Sequence, residues 1–285
     1  MTGSRLVKKQ ARNYLKGNWG VFAAAFFALF IPITIVELIE SCVLFFGIRE
    51  ISADQIKTTG DIFIVSVITI LEIAVTALFL PMISGIAKLS LNTVNGKPAC
   101  CADIFSFFER EKYLNALSFN LNLAVRRIFW LIVSFIPTAL CLAAYYCLII
   151  NDIRLEILTA VVCVLGILFA ALGVLLTVVF NSKYFLADYL YAESNGNASA
   201  NEIIRHSVCI MRGNKDKFYV LCLSFVPWAL LNLLILPGIY TFPYMQAAFA
   251  NSAKWIIKTD EQNSRSASHE SNAMGSAFGG AYNGV

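Results

Sequence analysis

Apolar residues collect in six runs along the chain, and each run is about as long as a helix that crosses a bilayer. A bilayer core of about 30 Å is crossed by roughly 20 helical residues. The runs cover residues 19–44, 62–87, 128–150, 157–180, 218–236 and 239–257. The last two form one uncharged stretch that is too long for a single crossing, and Pro237-Gly238 is predicted to form the turn between them. The pattern predicts an all-α, polytopic integral membrane protein with six transmembrane helices.

The Lys and Arg residues are distributed unequally when the six runs cross in turn. The N-terminus holds five, the second connection six, the fourth connection five and the C-terminal tail three, which leaves three on the opposite side. Because basic residues near spans stay on the cytoplasmic side, we expect a multi-pass cell-membrane protein with both termini in the cytoplasm. The composition agrees, with 58% apolar and 14% charged residues. The net charge of +4 indicates contact with anionic lipid headgroups and not with nucleic acid.

Two cytoplasmic segments have the spacing of amphipathic helices that lie at the membrane interface. The first leads into the first span, and its apolar side is Leu6, Val7, Ala11, Tyr14 and Leu15. The second is predicted to run from a capping box at Ser199 to Arg212, with an apolar side of Ile203, Ile204, Ser207, Val208 and Met211. The membrane domain is predicted to cover residues 1–258, and residues 259–285 have the composition of a disordered cytoplasmic tail.

A short motif recurs where each amphipathic helix meets a span. The two copies are Leu15-Lys16-Gly17-Asn18 followed by Phe22, and Met211-Arg212-Gly213-Asn214 followed by Phe218. Gly-Asn is predicted to end the helix in a left-handed conformation. In each half the next span carries a proline, Pro81 or Pro243, among small residues. These features indicate a parallel internal repeat, with chance similarity between two juxtamembrane segments as the alternative.

The second copy extends into a longer motif that is similar to a known family. Its residues are Ser207, Met211-Arg212-Gly213-Asn214-Lys215, Phe218, Leu223-Ser224-Phe225, Trp228, Pro243-Tyr244 and Ala248-Phe249. They resemble the signature of bacterial polytopic membrane proteins catalogued as domain of unknown function 975. The resemblance covers residues 4–257, and departs from the usual pattern at Pro227 and Ala250. It implies a six-span membrane protein without an established activity, and supplies no catalytic residues.

One residue within a span is ionisable near the middle of the membrane. Glu72 lies roughly 15 Å along its helix from Ile62. A carboxylate at this depth costs on the order of 3 kcal/mol, so we expect Glu72 to face the bundle. It is either a proton or cation site, or a protonated side chain bonded to another span through Asn232 or Ser134. The candidate functional or structural residues are Glu72, Pro81, Met211, Gly213, Asn214, Trp228, Pro243 and Tyr244.

The inventory of chemical motifs argues against an enzyme, because no span contains a histidine and no metal, nucleophile or phosphate motif occurs. We therefore expect no catalytic residue, cofactor or metal. Two functions remain. The first is a non-catalytic membrane component that scaffolds or modulates another membrane protein, which the few intramembrane polar residues favour. The second is a small transporter or permease subunit with its site between the Pro81 and Pro243 spans, which the paired prolines favour.

Overall fold

A computed structural model describes residues 3–45, 59–150, 156–231 and 235–279. These residues form helices joined by short turns, and no strand occurs among them. The helices are α1 (Gly3–Leu15), α2 (Trp19–Ala28), α3 (Ile31–Phe45), α4 (Thr59–Leu78), α5 (Pro81–Val94), α6 (Arg110–Ile150), α7 (Glu156–Asn181), α8 (Ala187–Glu193), α9 (Ala200–Met211), α10 (Lys215–Leu231) and α11 (Ile235–Gly279). The all-helical class predicted from the sequence is confirmed for this part of the chain.

Three helical stretches in the described part are long and apolar enough to cross a membrane: Ser66–Val94, Arg110–Ile150 and Ile157–Glu193. They contain the second, third and fourth apolar runs. Large apolar side chains point outward along them, as shown by Leu140 on α6, 66% exposed, and Ile167 on α7, 69% exposed. A soluble protein rarely exposes so continuous an apolar surface, whereas contact with lipid requires one. The helices are therefore compatible with a membrane protein.

Two of the predicted spans bend at a proline. The first run divides into α2 and α3 just before Pro32, and the second divides into α4 and α5 at Pro81. A proline inside a helix lacks the N–H that the preceding turn needs. The amides of Leu29, Phe30 and Leu80 accordingly bond to carbonyls three residues back. The hydroxyl of Tyr113, in the first turn of α6, donates to the Leu78 carbonyl at 3.0 Å.

The predicted turn at Pro237-Gly238 is wrong. Both residues lie inside α11, which begins at Ile235. Proline is tolerated in the first turn of a helix, since the amides there have no acceptor within the helix. The chain therefore leaves α10 before this pair, and residues 232–234 lie outside the described part.

The end of α11 also differs from the sequence prediction. The helix does not stop near Ile257 but continues through Gly279, so the described part of the expected disordered tail is helical. Adding residues to a formed helix avoids the cost of nucleation, which explains how a polar segment extends it. The side chains from 261 to 266 are exposed, so this extension has no packed face there.

A large buried cluster of the described residues lies at one end of the apolar runs, where α5, α6, α8, α9 and α11 meet. Its centre is Tyr191 of α8, which stacks on Phe119 of α6 at 4.1 Å and lies 5.5 Å from the ring of Phe107. All three are fully buried, and burial of each such side chain contributes about 1.5–3 kcal/mol. The apolar side of α9 closes this core, with Ile204 and Met211 buried. We call this cluster the inner core.

A second core joins the N-terminal helix to the last two helices. Ala11 and Leu15 of α1 are fully buried with Leu221 of α10 and Ala247 of α11. Lys8 of α1 donates to the carbonyl of Ser224 at 2.7 Å, and burial lowers the pKa of this lysine. The C-terminal half of the apolar side of α1 is thus covered by protein, while Leu6 near its start is 51% exposed.

The segment between α5 and α6 packs directly on the backbone of α5. A Cβ added to Gly85 would lie 1.9 Å from the carbonyl oxygen of Ile104. Glycine is the only residue that permits this approach. Ile104 and Phe107 are buried as a result, so this segment is part of the fold.

Candidate functional site

A cavity of about 640 Å³ lies where α5, α6, α7, α8, α10 and α11 meet. Most of its wall is apolar. The lining residues that the argument uses are Ile83 and Ala87 of α5, Arg127 of α6, Thr177, Val178 and Asn181 of α7, Asp188 of α8, Cys222 of α10, and Gln246 of α11. Several of them stand at the ends of apolar runs, since Ala87 ends the second run, Arg127 precedes the third and Asn181 follows the fourth.

The polar end of the cavity is built on one ion pair. Nη2 of Arg127 donates to Oδ2 of Asp188 at 2.8 Å and contacts the carbonyl of Tyr184 at 3.4 Å. The Asp188 side chain is 15% exposed and that of Arg127 is 35% exposed. Such a pair is poorly hydrated, and removing one partner would leave an uncompensated charge. The pair connects α6 to α8 next to the inner core.

Three side-chain oxygens in the same wall are buried and have no hydrogen-bond partner among the described residues: Oγ1 of Thr177, Oδ1 of Asn181 and Oδ1 of Asp188. The orientation of the Asn181 amide is fixed, because its Nδ2 donates to the Thr177 carbonyl at 3.0 Å. The Asn181 side-chain oxygen therefore points away from the Thr177 carbonyl. An unpaired buried polar group costs about 1–3 kcal/mol, and these three oxygens are closed off by the protein itself and not open to the space of the cavity.

The two spans that carry Pro81 and Pro243 both contribute to the cavity. The third and fourth apolar runs contribute to it as well. Ile83 belongs to α5, which begins at Pro81, and Gln246 belongs to α11, which contains Pro243. The charged and unpaired groups come from α6, α7 and α8. A site formed only between the Pro81 and Pro243 spans therefore does not describe this cavity.

Glu72 does not line the cavity. It is partly exposed on α4, and no hydrogen bond or ion pair from the described residues reaches it. Of the two partners considered from the sequence, Ser134 donates to the Trp130 carbonyl at 2.7 Å, and Asn232 lies outside the described part.

The residues of the repeated motif end helices in both places. Asn18 donates to the Tyr14 carbonyl at 3.2 Å, and Asn214 donates to the Ile210 carbonyl at 3.0 Å. Met211 is fully buried in the inner core. The left-handed conformation predicted for glycine occurs at Gly17, with φ +86°.

Gly213 is not left-handed. Among the described glycines, only Gly17, Gly96 and Gly196 have a positive φ. The turn at residues 212–214 is made by Arg212 and Asn214 amides that bond to carbonyls three residues back. A right-handed backbone is accessible to any residue, so the prediction for Gly213 is wrong.

Trp228 and Tyr244 lie together in a separate cluster. Their rings meet edge to face at 5.8 Å, and Tyr244 also meets Phe225 at 5.5 Å. Tyr244 is buried, whereas Trp228 is half-buried. This is packing between α10 and α11, and neither residue lines the cavity.

The functional residues missed in the sequence are Arg127, Thr177, Asn181 and Asp188. Arg127 directly precedes the third apolar run, and Asn181 and Asp188 follow the fourth. Their positions in the sequence were a usable signal, because opposite charges at the adjacent ends of two consecutive antiparallel helices can meet. Within the described residues, no group of three His, Cys, Asp or Glu side chains could hold a metal ion.

These features define an all-helical protein with apolar helices that suit a membrane and an amphiphilic cavity at one end of them. The chain belongs to the family described as "Protein of unknown function (DUF975)", which matches residues 1–257. The family indicated by the motif around Met211 and Trp228 is thus confirmed. No curated protein and no solved structure matches the chain.

Proposed function

We propose that this protein is a non-catalytic, six-span cell-membrane protein that binds an amphiphilic small molecule on the cytoplasmic side, in the manner of a small transporter or permease subunit. The observation that carries the proposal is the cavity, whose mostly apolar wall ends in the Arg127–Asp188 ion pair. Ligand sites are mostly apolar with a few convergent polar groups. The basic-residue distribution supports six spans with both termini in the cytoplasm.

A native cysteine gives a direct test. Cys222 lines the cavity, and Cys163 is exposed on α7 outside it. In single-cysteine variants of the purified protein, added lipid extract should slow the modification of Cys222 by an alkyl thiosulfonate. Cys163 should show no comparable slowing, since any bilayer or micelle covers it equally. Equal slowing at both sites would contradict the proposal.

A substitution that fills the cavity provides a second test of the same proposal. Ala87 is buried in the wall, and Trp in its place would occupy much of the space available to a ligand. Protection of Cys222 by lipid should disappear in Ala87→Trp. Ala139→Trp on the exposed side of α6 should retain it.

The second candidate is the scaffold or modulator of another membrane protein. The observation in its favour is the exposed polar face of α9, which carries Arg205, His206 and Arg212 above a rigid inner core. Crosslinking in the native membrane followed by mass spectrometry tests it. Reproducible crosslinks from this face to one membrane protein, lost when the three residues are replaced by Ser, would favour the scaffold.

A further inference from the structure

A second opening in the structure is lined mainly by basic and polar side chains. It is a cleft of about 390 Å³ between Arg126 of α6, Lys183 in the turn that joins α7 to α8, and Asn201 and Arg205 of α9. No Asp or Glu of the described residues lines it. Arg205 is exposed, and Arg126 and Lys183 are half-buried, so all three cations are accessible. We call this opening the basic cleft.

The contacts of Arg126 bring two of the cations to the same place. Its Nη2 donates to Oδ1 of Asn201 at 2.9 Å, and its Nε donates to Oδ1 of Asn122 at 2.8 Å. Arg205 follows Asn201 by four residues, and residues with this spacing lie on the same face of a helix. The Arg126 guanidinium therefore lies one helical turn from the residue that carries the second guanidinium.

Lys183 is fixed beside the same two helices. Its carbonyl accepts a hydrogen bond from the Ser207 hydroxyl of α9 at 2.9 Å. Its Nζ lies 4.1 Å from the centroid of the Trp130 ring, and Trp130 follows Arg126 by four residues on α6. An ammonium over an aromatic face is held by its attraction to the ring and keeps its charge. Three separate elements of the chain thus each place one cation at the basic cleft.

The positive charge of the basic cleft is not neutralised by the protein. No ion pair from the described residues reaches Arg126, Lys183 or Arg205, whereas the neighbouring Arg127 is paired with Asp188. The acceptors of Arg126 are neutral amides. Three like charges beside one opening repel each other, so an anion between them is favoured. Phosphate oxygens accept charge-assisted hydrogen bonds from both Arg and Lys, which makes a phosphate group the ligand that this cleft suits.

An apolar surface continues from the basic cleft along two long helices. Phe129 of α6 follows Arg126 by three residues and is 58% exposed, and Val179 of α7 precedes Lys183 by four residues and is 44% exposed. Both helices are apolar and long enough to cross a membrane. A lipid with its phosphate in the cleft can therefore lay its acyl chains on this surface. Basic pockets at the ends of transmembrane helices bind anionic headgroups in this way.

We propose that the basic cleft binds the phosphate group of an anionic phospholipid, with Arg126, Lys183 and Arg205 as the donors and Asn201 holding Arg126 in place. This site is separate from the cavity and goes beyond the function proposed for it. The choice of a lipid as the carrier of the phosphate rests on the membrane location in the proposed function, whereas the phosphate site itself does not.

The test compares two lipids that differ only in the head. Purified full-length protein in a neutral detergent is titrated with phosphatidylglycerol and phosphatidylcholine of identical chains, and bound lipid is counted by native mass spectrometry. Phosphatidylglycerol should bind about ten-fold more tightly, because its phosphate is not balanced by a cation in the same head. Equal binding of the two lipids would overturn the proposal.

Two variants with a matched control locate the effect. Arg205→Gln and Lys183→Gln should each reduce the preference for phosphatidylglycerol about three-fold, as expected for a partly exposed charge pair. Arg205 is exposed, so its replacement leaves the packing of α9 intact, and Arg205→Lys should retain most of the preference. Arg110→Gln is the control, because it removes the same charge from an exposed position on α6, roughly 24 Å along the helix from Arg126. An unchanged preference in both cleft variants, or an equal loss in Arg110→Gln, would overturn the assignment to the cleft.

A water-soluble probe distinguishes the two possible sources of the phosphate. Glycerol 3-phosphate at the same concentrations should not displace phosphatidylglycerol, because it lacks the acyl chains that lie on the apolar surface. Displacement that Arg205→Gln abolishes would keep the phosphate site and overturn the lipid as its carrier.

The Ala87→Trp variant separates this site from the cavity. Ala87 lines the cavity and does not line the basic cleft, so the preference for phosphatidylglycerol should persist when the cavity is filled. A preference lost in Ala87→Trp but kept in Arg205→Gln would place the anionic lipid in the cavity and overturn the cleft. Failure of lipid to protect Cys222 contradicts only the function proposed for the cavity, because Cys222 does not line the cleft.

Discussion

Replacing Gly85 by alanine tests the closest backbone contact in the protein. The new Cβ would lie 1.9 Å from the Ile104 carbonyl oxygen, while ordinary contact begins at 3.4 Å. The carbonyl would therefore have to retreat by about 1.5 Å in a region packed as densely as a crystal. The nearest atoms to the new Cβ are all backbone atoms of Ile104, so no flexible side chain can move to relieve the overlap.

The loss of stability can be estimated from the contacts that the displaced Ile104 carbonyl would disrupt. Overpacking of this kind costs about 1–3 kcal/mol. Ile104 is 1% exposed, and lifting it out of its site removes about 1.5–3 kcal/mol more. We expect Gly85→Ala to lower the free energy of unfolding by about 3–6 kcal/mol, and the melting temperature by roughly 10 °C or more.

Three other helical glycines provide a graded set of controls. A Cβ on Gly173 would meet the Ser134 carbonyl at 3.0 Å, one on Gly166 would meet only a side-chain carbon at 3.6 Å, and one on Gly20 would meet nothing within 4 Å. Alanine favours the helix by up to about 1 kcal/mol. The variants at positions 20 and 166 should therefore be as stable as the parent or more so, with the variant at 173 between them and Gly85→Ala.

The assay is thermal unfolding of the purified variants in one detergent, followed by size-exclusion chromatography of the fraction that stays folded. The reasoning depends on the order of the four variants more than on any single melting temperature. If Gly85→Ala melts together with Gly166→Ala, then the segment containing Ile104 does not rest on α5 and the contact is refuted.

Three further predictions concern topology, the Pro81 bend and α9. A single cysteine at position 53 (Ala53→Cys) should be labelled from outside intact cells and Ser194→Cys should not, and the reverse result would invert the six-span arrangement. Tyr113→Phe should cost about 1 kcal/mol of stability, because the Leu78 carbonyl loses its donor while the Met82 amide is bonded to Phe79; unchanged stability would contradict this bond to the bend. Ile204→Asp should make the fourth connection sensitive to protease, because it forces a charge into the inner core, and unchanged resistance would count against the packing of α9.

Some features followed from the sequence because short-range patterns control them. The amphipathic spacing of α9 predicted its buried side, and Ile204 and Met211 are buried as expected. Ser199 directly precedes the helix as predicted, but its side chain makes no capping bond, so the predicted capping box does not form. The start of α6 was missed, because hydropathy marks the apolar run from 128 while the helix begins at Arg110. A polar extension of a span carries no hydropathy signal.

The candidate site could not be predicted in the same way, because it is made by contacts between distant positions. Arg127 and Asp188 are 61 positions apart, and in the sequence the arginine served only as a marker of membrane orientation. Their pairing depends on how the helix ends pack around the inner core. Asn181 is a similar case, since its unpaired oxygen becomes apparent only when its amide nitrogen is seen to bond to the Thr177 carbonyl.

The role of Pro81 shows how a correct local inference can point to the wrong atoms. A proline at position 81 removes the donor that would reach the Ala77 carbonyl, and a substrate could in principle replace it. The structure supplies the partners from within: the Ala77 carbonyl accepts from the Leu80 amide at 3.1 Å, and the Tyr113 hydroxyl donates to the Leu78 carbonyl at 3.0 Å. Asn120 of α6 also donates to Ser84 at 2.8 Å. The bend is therefore satisfied by α6 and holds α5 in place beside the cavity. The ion pair that lines the cavity is on α6 and α8, so a ligand should respond to Arg127 and Asp188 and be insensitive to the carbonyls at the bend.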